Sequence, residues 1–447
     1  MQSLFEAYFW GKGSYRTYWY AFFVAFPFTW RNVIIPNVAG GGLFNEYLDL
    51  TLYLADVLLL MCIINILKHE NVIKSINNFK KMFHVERIVF VILFIYTLIN
   101  FYIAPSKTLW IDAFLSILRA GLVAFITYYY FIIDKSCSTW NKSRVFMGIL
   151  FLSVLVQLLI GFSQYTINSS AGFYYLGEQI LSTEIPGVAE INSDHGKQLR
   201  SYGTFLHPNI FGGYIVVMFV IFYAAMRFLL FHVEQKWIIF KKFHVEQILF
   251  VAFTAICLYS IYLSQSKSAI LSFSLSFMFI LFHVEQKWII FKKFHVEQIL
   301  LLISISFLLY IFINNDWRQS VAERINIFDN YHDYNLNLWG HGLGNDVYLL
   351  QFKNHSFWQL QPIHNIFYKV FFEYGYLGSV GLIIFLIYSF FKYIVPRGTI
   401  YLLPMIPLAI IGSIDHYLID IYVGNILFGL SIGLVLVLSS PLNIDKH

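Results

Sequence analysis

The sequence is poor in charge and in cysteine. Only 12% of the 447 residues are Asp, Glu, Lys or Arg, against about 25% in an ordinary soluble domain, and this shortage excludes a water-soluble globular enzyme. The basic residues are scattered singly or in pairs between apolar runs and form no continuous patch, which excludes a nucleic-acid-binding chain. The three cysteines, Cys62, Cys137 and Cys257, are far apart in the chain. We therefore expect neither a structural disulfide nor a thiolate metal site.

Apolar residues are abundant instead. Hydrophobic residues make up 58% of the chain and aromatic residues 20%, and the mean hydropathy is +0.65. A membrane-spanning helix needs about 20 apolar residues, and the sequence offers about twelve such runs by this criterion. The predicted spans lie near 18–36, 47–67, 88–104, 109–133, 144–167, 210–230, 248–263, 268–281, 299–314, 370–391, 400–417 and 422–440. We predict an all-α polytopic membrane protein that forms a single domain over 1–447.

The positions of the basic residues predict the orientation. Lysine and arginine are retained in cytoplasmic loops, and most of them fall on one side if the N-terminus is inside. Both termini are then cytoplasmic, and no cleavable signal peptide is expected. Two long loops, 168–209 and 315–365, become extracytoplasmic, so any extracytoplasmic chemistry is expected there.

One segment is repeated without change. Residues 230–249 recur identically at 281–300, which indicates a recent insertion rather than a divergent structural repeat. We interpret 231–247 and 282–298 as insertions in cytoplasmic loops, where extra polar residues cost little folding energy. The alternative is a basic amphipathic segment that grips anionic lipid. The histidines of these segments are followed by Glu two residues later, a helical spacing that points the side chains apart, so we expect no metal site there.

The first predicted outer loop ends in a motif suited to an anion. It contains Arg200, Thr204, His207 and Asn209, followed at once by an apolar helix. A helix N-terminus offers free N–H groups to an anion, and arginine adds a bidentate fork. The equally open alternative is a simple helix cap with an arginine that reaches the headgroups.

Further candidates follow along the chain. Lys267 lies among serines between two short spans, where it either meets lipid phosphates or binds a phosphorylated substrate. In the second loop, the glycine-rich run around His341 predicts a tight turn. His364 and Asn365 lie at the entrance of the next span, and an imidazole there is suited to act as a general base. Glu373 is costly in lipid unless it is functional or paired with Lys369 at i−4.

Taken in order, these motifs resemble a known family. Arg200 to Asn209, the Ser-x-Ser-Lys-Ser-Ala segment at 264–269, Gly-x-Gly-x-Gly at 340–344 and His364-Asn365 followed by Glu373-x-Gly375 resemble the O-antigen ligase and O-antigen polymerase superfamily of bacterial envelope enzymes. The resemblance covers about residues 145–390. The family usually has arginine where this chain has Lys267, so a bidentate contact becomes a point-charge contact.

The resemblance implies a glycosyltransferase of the bacterial inner membrane that needs no metal or other cofactor. Its donor would be a polyprenyl-diphosphate-linked oligosaccharide. Arg200 and Lys267 would stabilise the diphosphate, His364 would deprotonate the acceptor hydroxyl, and Glu373 would orient His364. We expect further substrate-binding residues at Arg324, His207, Asn209, Thr204, His341 and Asn365.

Two reactions fit this chemistry. A polymerase joins lipid-linked repeat units of O-antigen, capsule or exopolysaccharide, whereas a ligase moves a finished glycan to a lipid or protein acceptor. We favour the polymerase because no acceptor-specific feature stands out. A transporter of lipid-linked oligosaccharide is the alternative from another class, but it predicts internal symmetry, which the sequence lacks apart from the repeated segment. We expect membrane lipid, a flippase and chain-length regulator proteins as partners, and no nucleic acid.

Overall fold

A computed structural model describes residues 15–36, 46–68, 84–134, 139–193, 196–233, 240–287, 316–332, 334–353, 360–389, 391 and 399–439. The described chain is mostly helical. The main helices are α1 Tyr15–Ala25, α2 Leu54–Leu67, α3 His84–Ile103, α4 Lys107–Tyr128, α5 Thr139–Ile167, α6 Pro208–Val233, α7 Phe240–Ser264, α8 Lys267–Lys287, α9 Asp316–His332, α10 Asp346–Leu350, α11 Ile366–Ser389, α12 Ile406–Ile414, α13 Tyr417–Asp420 and α14 Tyr422–Ser439. Two antiparallel hairpins pair β1 Arg31–Ile35 with β2 Leu50–Tyr53, and β3 Glu190–Ser193 with β4 Gly196–Leu199.

Five of the described helical stretches are long and apolar enough to cross a membrane: 107–133, 141–167, 208–226, 366–388 and 422–439. Shorter apolar helices accompany them, including α2, 250–264 and 267–280. These observations confirm an all-α chain with helices of membrane-spanning character. The total of about twelve spans stays a prediction, and the predicted span 299–314 and much of the repeated segments 231–247 and 282–298 lie outside the described residues.

The first two predicted spans are shorter than the sequence indicated. Helix α1 ends at Ala25, and the run 31–35 forms a strand instead of continuing the predicted span 18–36. Pro27 cannot donate a helical hydrogen bond, and the β-branched Val33, Ile34 and Ile35 favour extended backbone. Residues 50–53 pair with that strand, so α2 begins only at Leu54.

Helix α6 forms the centre of the structure. Its side chains from Ile210 to Ala225 are almost all buried, and it contacts α5, α7, α8, α12 and α14.

Helices α4 and α14 pack closely because small residues line their contact. A Cβ atom on Gly429 would lie 2.4 Å from the Ala120 carbonyl oxygen, and one on Gly433 would lie 2.6 Å from Thr127. Close approach through small residues is typical of helices that associate in membranes.

Helix α11 lies at the periphery of the structure and, unlike the buried α6, has an exposed apolar surface. Several of its large apolar side chains are exposed, among them Ile384, Leu386 and Ile387, as expected of a surface that faces lipid. The helix breaks at Gly375, whose φ of 70° lies in the left-handed region. Gly340 packs directly on this break, because a Cβ atom on Gly375 would lie 2.2 Å from the Gly340 nitrogen. The glycine-rich turn at 340–344 is therefore shaped by its contact with α11.

Candidate functional site

The candidate site lies at one end of the helices, which we call the site end. There α5 ends, α6 begins, α7 turns into α8, α11 begins and α12 leads through α13 into α14. Hydrogen bonds between these termini join them, such as those from Arg200 to Ser264 and from Asn209 to Asp415. At this end, the apolar helices are connected by loops that carry polar side chains.

Two glutamines of α5 fix the loop that carries Arg200. The Gln164 Oε1 atom accepts hydrogen bonds from the backbone nitrogens of Tyr202 and Gly203, each at 2.9 Å. The Gln157 Oε1 atom accepts from the Thr204 nitrogen at 3.0 Å. The fully buried Thr204 also donates through its hydroxyl to the Pro27 carbonyl at 2.6 Å. Thr204 thus anchors the loop, and its side chain is directed into the protein.

Arg200 is held on both sides of its guanidinium group. Its Nε donates to the Ser264 carbonyl at 2.9 Å, and its Nη2 donates to the Asn209 Oδ1 atom at 2.9 Å. Asn209 in turn donates through Nδ2 to Asp415 Oδ2 at 3.2 Å. Burial lowers the pKa of Arg200 to about 10, with a further lowering from Arg324. The side chain remains a cation at neutral pH, and its orientation is fixed before any ligand binds.

Asp415 is the carboxylate on which the site converges. Its side chain is only 4% exposed. The Arg324 Nη2 atom lies 3.9 Å from Oδ2, and the His364 Nδ1 atom lies 3.5 Å from Oδ1. Burial acts to raise the pKa of Asp415, but the contact with His364 and the charges of His416 and Arg324 together lower it below its ordinary value. Asp415 is therefore ionised at neutral pH.

His364 is directed by its neighbours. Burial lowers the pKa of His364, and the nearby carboxylate of Asp415 only partly opposes this shift. The imidazole is consequently neutral at pH 7 and can accept a proton. Its Nε2 atom lies 3.2 Å from Gln361 Oε1, and its ring lies edge-on to that of His416, with the centroids 4.8 Å apart. The next residue, Asn365, caps α11 through a hydrogen bond from the Tyr368 nitrogen and donates to the Ser413 carbonyl.

A buried ionic group lies one turn further into α11. The Lys369 Nζ atom lies 2.5 Å from Asp346 Oδ2, 3.0 Å from Asp420 Oδ1 and 3.1 Å from Glu373 Oε1. We call these four residues the Lys369 cluster. It connects to the Asp415 region through His416, whose Nδ1 atom lies 3.0 Å from Asp420 Oδ2. Glu373 thus contacts Lys369, the partner that the i−4 spacing offered. The carboxylate beside His364 is that of Asp415, and not that of Glu373.

The remaining sequence-predicted residues fall in three places. His207 accepts a hydrogen bond from the Asn209 nitrogen at 3.2 Å, and burial lowers its pKa to about 3, which keeps it neutral. His341 lies apart from Asp415, with its ring against Phe372 and its Nε2 atom 3.0 Å from the Asn335 carbonyl. Lys267 begins α8, and the turn 264–269 packs on the first turn of α6: a Cβ atom on Gly212 would lie 2.8 Å from that of Ala269.

Sequence reasoning assigned no role to three acidic or imidazole side chains near the site: Asp415, His416 and Asp420. They belong to the run Ser413-Ile-Asp-His-Tyr-Leu-Ile-Asp420, between two apolar helices. Ionisable residues within membrane-embedded sequence are costly and are usually functional or paired. The presence of three ionisable residues in this short run is the sequence feature that could have indicated the site.

Comparisons with known proteins add no identification. No family model matches the chain, and no curated protein sequence matches it either. The resemblance to the O-antigen ligase and polymerase superfamily thus depends on the motifs alone.

Proposed function

We propose that this protein is a membrane glycosyltransferase that polymerises lipid-linked repeat units of an envelope polysaccharide. It transfers a glycan from a polyprenyl-diphosphate carrier to a sugar hydroxyl of another lipid-linked unit, on the outer face of the bacterial inner membrane. The observation that carries this proposal is the link from Arg200 through Asn209 to Asp415, which unites a fixed cation with the imidazole of His364.

The proposed step begins with the acceptor hydroxyl. In the tautomer with a proton on Nδ1, His364 is oriented by Asp415, and its Nε2 atom accepts the hydroxyl proton. The acceptor oxygen then forms a bond to the anomeric carbon while the bond from that carbon to the diphosphate oxygen breaks. The diphosphate leaves with the electron pair. A positioned base of this kind typically contributes about 10²- to 10⁴-fold to the rate.

The leaving diphosphate requires positive charge. Arg324 lies 3.9 Å from Asp415, and Arg200 is joined to the same carboxylate through Asn209. Lys267 begins the neighbouring helix. Cations that are fixed before the reaction stabilise developing negative charge most strongly where water is excluded. These side chains provide the charge that the reaction needs, so we propose a mechanism without a metal ion. The lipid tail would lie along the exposed apolar side of α11.

The test is a chain-extension assay with the purified full-length protein and a polyprenyl-diphosphate-linked repeat unit. Wild type should yield a ladder of polymer, and His364→Asn should lower its rate by about 10²- to 10⁴-fold, the contribution typical of a general base. Lys197→Ala is the matched control, because Lys197 lies on the same loop with its side chain 59% exposed in an ion pair with Glu190. An undiminished rate in His364→Asn would overturn the assignment of the base.

The product distinguishes the alternatives. A polymerase gives chains of several repeats on the carrier, and its gene deletion leaves single-repeat product. A ligase deletion would instead leave full-length polymer on the carrier. Movement of labelled carrier across vesicles without any new glycosidic bond would identify a transporter and overturn the proposal.

A further inference from the structure

Two imidazole rings and one carboxylate converge at a single point beside the proposed base. The His364 Nδ1 atom lies 3.5 Å from Asp415 Oδ1, and the His416 Nε2 atom lies 4.0 Å from the same oxygen. One potential ligand atom from each of the three residues lies within 4.8 Å of the others. Asp415 and His416 are buried, while His364 keeps 17% of its side chain exposed and gives access to the point.

The hydrogen-bond partners of the rings determine where their protons lie. Gln361 Oε1 faces His364 Nε2 at 3.2 Å, and Asp420 Oδ2 faces His416 Nδ1 at 3.0 Å. Both oxygens are acceptors, so these two nitrogens carry the protons in this arrangement. The lone pairs are then on His364 Nδ1 and His416 Nε2, the two atoms that face Asp415. His364 Nδ1 is buried and has no hydrogen-bond partner among the described residues.

We propose that His364 Nδ1, Asp415 and His416 Nε2 form a binding site for a divalent transition metal ion of the zinc class. Imidazole nitrogen combined with a carboxylate is a ligand set suited to zinc, whereas magnesium and calcium take oxygen ligands. The contact from His416 to Asp420 supplies the outer carboxylate that commonly orients a metal-bound histidine. Zinc bonds of about 2.0–2.2 Å require the three ligand atoms, which lie within 4.8 Å of one another, to move closer together around the ion.

The local charge accommodates a cation. The described side chains joined to this point include three basic groups, Arg200, Arg324 and Lys369. They also include the carboxyl groups of Asp346, Glu373, Asp415 and Asp420. The basic groups are therefore at least balanced by carboxyl groups, so a divalent ion does not enter a site with an excess of positive charge.

Metal binding would inhibit the transferase, a consequence that rests on the proposed function. A metal ion bound to His364 Nδ1 would use the lone pair that faces Asp415. The ring proton would then stay on Nε2, where it is directed at Gln361. Glycosyl transfer needs the other tautomer, in which Nε2 accepts the proton of the acceptor hydroxyl. The two uses of His364 exclude one another, so zinc would act as an inhibitor.

Binding is tested without any sugar substrate. The purified full-length protein is stripped with a chelator and titrated with Zn²⁺ by calorimetry, and with Co²⁺ by visible absorption. Wild type should show a saturable site that His416→Ala loses. Asp420→Asn should bind about 10- to 100-fold more weakly, as expected for loss of an outer carboxylate. His341→Ala is the matched histidine control and should bind like wild type. Thermal denaturation verifies that each variant is folded.

Absence of saturable zinc binding in wild type, or equal binding by folded His416→Ala, would overturn the site. In the chain-extension assay, saturating zinc should abolish wild-type activity. His416→Ala should lose this sensitivity relative to its own zinc-free rate. Unchanged extension by zinc-saturated wild type would overturn the inhibitory role. A protein that binds zinc through these residues but never extends chains would retain the metal site and refute the proposed function.

Discussion

Two carboxylates, one at each end of the helices, are surrounded by cations in different ways. At the end opposite the site, Asp134 Oδ2 accepts hydrogen bonds from Arg16 Nε at 2.8 Å and Nη2 at 2.6 Å, and from the Tyr15 hydroxyl. Lys142 lies 3.7 Å from the same oxygen. At the site end, Arg324 and His364 remain 3.9 and 3.5 Å from Asp415. Arg16 is hydrogen-bonded directly to Asp134, whereas Arg324 and the neutral His364 lie near Asp415 without a hydrogen bond to it.

This difference separates stability from function. Removing one partner of a tightly paired buried group leaves uncompensated charge and costs folding free energy. A charged pair without a direct hydrogen bond between its groups costs less to break. We therefore expect substitutions at the Asp134 end to affect mainly stability, and those at the site end to affect mainly activity.

The largest expected effect is on activity at the site end. Arg200→Ala should lower chain extension by about 10²- to 10³-fold, the usual loss when one fixed donor to a developing anion is removed. Its stability should change much less, because Arg200 bonds to the neutral groups of Ser264 and Asn209. Rates are measured with the lipid-linked repeat unit, and denaturation in detergent verifies the fold. Wild-type rates in the variant would remove Arg200 from the site.

The largest effect on stability is expected at the opposite end. Asp134→Ala should lower the free energy of unfolding by about 3–5 kcal/mol, because Arg16 and Lys142 lose their shared carboxylate. Denaturation of the detergent-solubilised protein measures the change. Asp329→Ala, at an exposed position of α9, is the matched control and should denature like wild type. If Asp134→Ala had wild-type stability, the distinction between the two ends would fail.

A smaller effect tests the geometry of the arginines. Arg16→Lys keeps the charge but loses one of two hydrogen bonds to Asp134, so it should cost about 1.5–3 kcal/mol of stability. Arg324→Lys keeps the charge beside Asp415, to which Arg324 makes no direct hydrogen bond at 3.9 Å, so it should cost less stability than Arg16→Lys. Comparing the two denaturation curves measures how tightly each end is held. Equal losses would contradict the comparison.

The smallest effect is expected outside both regions. Lys197→Ala breaks an exposed ion pair with Glu190, and such pairs contribute only about 0–1 kcal/mol. Neither denaturation nor chain extension should change measurably. A large loss of chain extension in this variant would show that the surface of the loop, and not its fixed end at Arg200, controls the reaction.

Sequence reasoning predicted the local features better than the distant ones. Arg200 and Asn209 were identified together because they lie on one short loop at a helix start, and the i−4 pairing of Lys369 with Glu373 follows from helical spacing. The contact of His364 with Asp415 was not predicted, because the two residues belong to different helix ends and their meeting depends on how α11 and α12 pack. The strand 31–35 was missed because an apolar run of that length fits both a strand and a helix.

The Lys369 cluster also constrains how the protein is assembled. Its carboxyl groups come from before α11, from α11 itself and from the segment that follows α12, so synthesis on the ribosome delivers them at different times. Until Asp420 has emerged, Lys369 has only two of its three carboxylate contacts, those with Asp346 and Glu373. The full set of ion pairs at the amino end of α11 is therefore completed late, when the segment that follows α12 docks.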